Sequence, residues 1–147
     1  MRHRVAGKKL NRAPDQRLAL RRGLVTELFR HGAIQTTDAK AEAVRGMAEK
    51  LISTAKRSIM ANDPIKVVNA RRLAAAQLHG TEIVKKLFDE IAPKFVERPG
   101  GYTRVYKIGR RHGDAATMVQ LELVIDEEID DTKSDKKAAD KKPAKKK

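Results

Sequence analysis

Apolar residues recur at helical spacing from Leu18 to Ile91 and at alternate positions from Tyr102 to Ile125, and that change of period organises the chain. Leu18, Leu20, Leu24, Val25, Leu28 and Phe29 stand three, four and seven residues apart, after a Pro14 suited to a first helical turn and before Gly32, a C-terminal stop. An amphipathic helix is predicted there, with Arg17, Arg21 and Arg22 off its stripe. Ala33 to Thr37 is short and partly β-branched, which predicts one strand, and Thr37 is placed to cap the next helix, where Ala41, Val44, Ala48, Leu51 and Ala55 hold helical spacing. Asn62-Asp63-Pro64 opens a third helix with Ile65, Val68, Leu73 and Leu78 as its apolar positions and Gly80 as its end. Thr81 opens a fourth, striped by Val84, Leu87, Phe88 and Ile91 and ended by Pro93.

After Gly101 the alternation predicts a strand over Tyr102 to Ile108 and another over 117–125, joined as an antiparallel hairpin by a connection longer than a tight turn, Gly109 to Ala116. The expected fold is therefore one α+β domain, four main helices packed on a small mixed sheet made of one short strand plus the hairpin. A length of 147 residues fits a single core. The domain is expected over 1–125, with 1–12 as an extended arm. Residues 126–147 are expected to form a disordered tail, because Ile129 is their one long apolar side chain and cannot offset the entropy of ordering.

Charge turns this fold towards a partner. Thirty-three Lys and Arg against 19 Asp and Glu give a net +14, yet the tail is almost balanced at eight Lys and seven acids. Residues 1–125 hold the other 25 basic and 12 acidic side chains, so the excess belongs to the body, and such a body calls for a polyanion. The cations cluster in the arm (Arg2, His3, Arg4, Lys8, Lys9, Arg12), on the first helix (Arg17, Arg21, Arg22) and in the hairpin with its approach (Arg98, Arg104, Lys107, Arg110, Arg111, His112). Several cations in a row can follow a phosphate backbone, and an Arg fork pairs two oxygens at once. Tyr102, after Gly100-Gly101, joins the candidates as a ring beside a backbone able to approach a ligand, although a turn that buries Tyr102 in the core stays open. Aromatics make up only 3% of residues, so recognition by charge and shape is favoured over base stacking.

Catalysis has little to work with. The chain has no Cys, and its four His are scattered without metal-ligand spacing. Asp114 near His112 is the one acid–imidazole pairing, and an Asp after Gly113 in a loop is more often a turn residue. His31 and His79, each before a Gly, suit the capping of last-turn carbonyls. No cofactor, metal or small-molecule substrate is expected, no stretch is apolar enough to span a bilayer, and the N-terminus does not read as a signal peptide, which together place the protein in the cytoplasm.

Five short runs then carry a resemblance in order across 1–125: Met1-Arg2-His3-Arg4, Lys9-Leu10 with Arg12, Thr36-Thr37 with Ala39-Lys40-Ala41, Arg98-Pro99-Gly100-Gly101-Tyr102-Thr103-Arg104, and Gly113-Asp114-Ala115-Ala116. They resemble the bacterial large-subunit ribosomal protein L17 family, with departures at Lys8, Asn11 and Glu42. The resemblance implies a non-enzymatic component of the large (50S) subunit that binds 23S rRNA near the nascent-chain exit, beside other large-subunit proteins, with the arm reaching into RNA. The alternative is a free nucleic-acid-binding architectural protein, for which the insertion motif or dimer interface is missing; a ribonuclease is disfavoured by the lack of clustered carboxylates. Ending the chain after Ile125 is expected to leave both the melting temperature and the recovery of the protein in sedimented large subunits nearly unchanged; loss from the subunits would assign the tail a contact of its own.

Overall fold

A computed structural model describes residues 7–125; Arg2, His3 and Arg4 of the arm and the whole 126–147 segment, with the disorder expected of it, lie outside the described residues. Helix α1 spans Pro14–His31 and ends on Gly32, whose left-handed backbone (φ 78°) lets its N–H donate to the Leu28 carbonyl at 2.8 Å. Strand β1 (Ala33–Thr37) leads directly into the long α2 (Asp38–Met60). Thr37 stands at the cap position but makes no side-chain capping hydrogen bond, so the expected cap is positional only. Asp63 does cap, accepting from the Ile65 N–H at 2.9 Å at the start of α3 (Pro64–Ala75).

Helix α2 forms the centre. Ala41, Val44, Ala48, Leu51, Ile52 and Ala55 are all buried, and the helix packs against α1, α3, the sheet and the last helical turn of the chain. Its small residues allow neighbours to approach closely. Helix α3 answers with a small-residue face as well: Ala70 and Ala74 are buried, whereas Ile65, Val68 and Leu73, three of the four apolar positions read from the sequence, are 70%, 47% and 57% exposed, and the fourth, Leu78, is buried beyond the helix end. The large side chains were the wrong stripe, because an alanine face fits against α2 where branched residues would hold the helices apart. The helix also stops five residues before Gly80, and the turn that follows is fastened when the His79 N–H donates to Thr26 Oγ1 of α1 at 3.0 Å. Leu18 belongs to the half of α1 that runs past the core and is 46% exposed.

The fourth helix, α4 (Thr81–Lys86), widens into a π-helical turn (Leu87–Ile91) and closes with one α turn (Ala92–Lys94). Pro93 therefore does not end the helix at the preceding residue. Its missing N–H leaves the Asp89 carbonyl without an α-helical donor, and the ladder widens just before it. Leu87, Phe88, Ile91 and Phe95 still reach the core. Strands β2 (Thr103–Arg110) and β3 (Thr117–Leu123) complete a three-stranded sheet in the order β1-β3-β2. Both pairings are antiparallel, so the sheet is antiparallel throughout where a mixed one was expected. Between β1 and its partner β3 lie every helix from α2 onward and β2, a connection long enough to bring the chain back in either sense.

Val119 and Leu121 are wholly buried on the face turned to the helices, opposite Lys107 and Val105, while Arg104, Tyr106, Gln120 and Gln35 lie on the uncovered face. Replacing Phe29, which is fully buried, with Ala is expected to lower the unfolding free energy by about 3–5 kcal/mol, whereas Leu73→Ser should change it by no more than about 0.5 kcal/mol, both read from urea midpoints.

Candidate nucleic-acid interface

The Arg98 to Arg104 run is first of all a docking strap. Gly101 takes a left-handed φ of 66°, and Tyr102, 3% exposed, turns inward to meet the Phe95 ring edge-on at 5.1 Å. Lys56 Nζ donates to the Arg98 carbonyl at 2.6 Å and sits 5.8 Å from the Tyr102 ring centre, and Thr103 Oγ1 donates to Glu49 Oε1 at 2.8 Å. All of these contacts join the strap to α2 or to the core. Tyr102 is thus corrected from contact ring to core residue: an aromatic with that burial has no face left for a base. Tyr106, four residues on and 45% exposed, is the ring the sheet offers outward.

Beyond the strap the hairpin leaves the helices, and every residue from Tyr106 to Ala115 is exposed. A β-bulge between Lys107 and Gly109, where Gly109 has φ 152°, inserts Ile108 and shifts the register so that Arg110 faces Thr117. The loop is rigid despite its length. Arg111 N–H donates to Ala116 O at 2.9 Å, and Ala115 N–H returns to Arg111 O at 3.0 Å. The Arg111 guanidinium grips Asp114 with both prongs, Nε to Oδ1 at 3.0 Å and Nη2 to Oδ2 at 2.5 Å, and Asp114 Oδ1 also accepts from Ala116 N–H at 3.3 Å. Arg111 is therefore partnered inside the loop, and Asp114 is the turn residue rather than an acid partner of His112. Lys107 and Arg110 have no ion pair among the described residues. They are the bare cations of the finger, with His112 at its tip.

The arm meets the body through Lys8, whose Nζ pairs with Glu42 Oε2 at 2.9 Å one turn into α2. Thr37, just before that turn, pairs with Met118, and Met118 pairs with Gly109, so the arm and the base of the finger converge on the N-terminal end of α2. On α1, Arg21 Nε and Arg22 Nε are buried without a hydrogen-bond partner among the described residues. A buried donor left unmade costs about 1–3 kcal/mol. Lys9, Arg12 and Arg17 are exposed or half-buried near the start of α1, and Arg98 is half-buried in the strap. No pattern along the chain signals the role of Lys86, whose side chain donates to the Arg30 carbonyl at 2.7 Å and closes the end of α1. His31 turns to Glu27 Oε2 at 3.2 Å rather than to a carbonyl. No group of three or more His, Asp or Glu able to hold a metal occurs among the described residues, nor a helix long and apolar enough to cross a membrane.

Comparison with known proteins falls on the same part of the chain. Residues 20–124 match the family model described as ribosomal protein L17. The chain is similar to the large ribosomal subunit protein bL17 of Gemmatimonas aurantiaca, with 47% identity over 85% of this chain and 99% of the relative, and to that of Clostridium perfringens, with 50% identity over 80% and 96%. Kosmotoga olearia bL17 is 46% identical over 84% of this chain and 93% of its own length.

Hydrogen bonds from Arg111 and then from Ala116 N–H hold the Asp114 carboxyl down to about 2, from an ordinary 3.8. A carboxyl depressed on folding stabilises its partnered form above its unfolded pKa and loses that contribution as the pH falls towards 2. Carbon-13 NMR of Asp114 should therefore give a midpoint near 2, and in Arg111→Gln the midpoint should move up towards about 3.9.

Proposed function

The chain belongs to the ribosomal protein L17 family and is a structural constituent of the large ribosomal subunit, not an enzyme, and from that premise we propose that it binds 23S rRNA through its arm, the polar face of α1 and the hairpin finger. The observation that carries this reading is the finger itself: a run without acids from Arg98 to Gly113 whose outer half stands clear of the core on a stiffened loop. A rigid loop presents Lys107, Arg110 and His112 without the ordering entropy that a floppy one would lose on binding. The Arg111–Asp114 clamp supplies that stiffness, so Arg111 acts on the RNA mainly by positioning its neighbours.

Cations presented on a braced loop suit RNA duplexes and their junctions, which are recognised by shape and phosphate contact. The convergence of arm and finger on one end of α2 supports a single RNA-facing side, and neighbouring ribosomal proteins would meet the remaining surface. We place that side near the nascent-chain exit, on the family resemblance. Residues 1–125 serve as the binding domain in this reading, consistent with a family match that ends at residue 124. The architectural alternative differs in its partner: a free nucleic-acid binder would not remain on large subunits through a high-salt wash.

Filter binding to a 23S rRNA transcript tests the proposal across a salt series. Each phosphate contact contributes roughly 0.7–0.9 to the slope of log affinity against log salt, so removing Met1 to Arg12 should flatten the slope by several units and Arg110→Ala by about one. Arg110→Ala is expected to weaken binding by about 1.5–3 kcal/mol with an unchanged melting temperature. An unchanged slope in both variants would remove the arm and finger from the interface.

A further inference from the structure

Two open clefts run end to end along the exposed side of α2 and share Gly46, Lys50 and Gln77. One reaches the arm at Lys8 and α1 at Arg21; the other continues past Arg57 to Pro99 in the strap. Together they form one groove that begins where arm and finger converge. None of its α2 residues belongs to the basic clusters apparent in the sequence.

The groove is electropositive because its acids are already engaged. Glu42 is held by Lys8, and Glu49 accepts from Arg45 Nε at 3.3 Å and from Thr103 Oγ1 at 2.8 Å. Lys50 and Arg21 have no ion pair among the described residues, and Arg21 Nε is a buried donor with no acceptor among them. Nothing in the fold requires a glycine at 46. The position lies inside a 23-residue helix, its backbone is helical, it is exposed, and a Cβ built there meets no atom within 4 Å. Glycine in a helix interior is a poor choice for stability, so its absent side chain leaves room for something outside the chain.

We propose that this groove seats a phosphodiester segment of RNA, with Gly46 as a floor that lets the backbone come close and with Arg21 and Lys50 as its phosphate contacts. The inference rests on the RNA-binding reading above and adds α2 to it. A ribose–phosphate chain is narrow, polyanionic and continuous, as the groove requires, and its non-bridging oxygens can accept from the Arg21 and Lys50 side chains that line the cleft. Gln77, at the junction of the two clefts, can donate to a ribose or phosphate oxygen.

Gly46→Gln fills the floor without disturbing the core, and the helix should gain from it. The full-length variant is expected to melt at the wild-type temperature or up to about 5 °C above it, while its affinity for a 23S rRNA transcript falls about tenfold. Lys50→Gln should reduce the salt slope by roughly 0.7–0.9. Ala75→Gln, at an exposed helical position outside the groove, should bind as the wild type does. If the wild type binds with a steep salt slope and both groove variants match it, the groove is not an RNA seat and the arm and finger suffice. If the groove variants bind RNA normally but fail to enter large subunits, a protein occupies the groove, which also overturns the proposal. A wild type without salt-dependent binding would instead overturn the RNA-binding reading itself.

Discussion

The structure depends on the burial of one helix. Helix α2 passes through the middle of the domain with alanines at 41, 48 and 55, and α1, α3, the fourth helix and the sheet all find their places by closing on it. Apolar area contributes roughly 25 cal/mol per Å², so small side chains stabilise little by their own area; what they provide is proximity, which lets larger residues on the neighbours, Phe29, Leu28, Leu87 and Phe95, fill the space between. With the centre held this way, Lys56, Glu49 and Tyr102 fasten the strap to it, and the hairpin extends beyond the core from that anchored base.

The fold was legible wherever one local signal decided the outcome. Pro14 and Gly32 bracket α1 as read, β1 falls on Ala33–Thr37, and the alternation of Val119, Leu121 and Leu123 identifies the inner face of β3. It was not legible where partners decided. Along α3 two apolar sets coexist, Ile65, Val68 and Leu73 beside Ala70 and Ala74, and only the alanine face of α2 selects the second. The π-helical turn had no signature apart from Pro93, and the direction of β1 in the sheet depends on how the helices and β2 between it and β3 return the chain.

The candidate interface was legible in the sequence as charge, and its geometry much less so. Counting cations located the arm and the finger, but a count gives Arg111 and Arg110 equal weight, whereas one is clamped to Asp114 and the other is bare. Tyr102 looked like a ligand-facing ring because two glycines precede it; those glycines instead turn the chain so that the ring enters the core. Along α2 the sequence carries one glycine in the helix interior, and open space around it shows that close packing within the fold does not require it.

The large apolar side chains left outside by α3, together with Met60 at 60% exposure, bear on how the protein behaves before assembly. In free solution such surface favours self-association, and what opposes it is mutual repulsion between molecules that each carry +14. That repulsion reaches about 10 Å at 0.1 M salt and about 3 Å at 1 M. Charge repulsion therefore opposes contact between these apolar surfaces, and a short polyanion that neutralises the charge weakens that opposition. The cations proposed to meet the RNA thus also oppose contact between free copies of the chain.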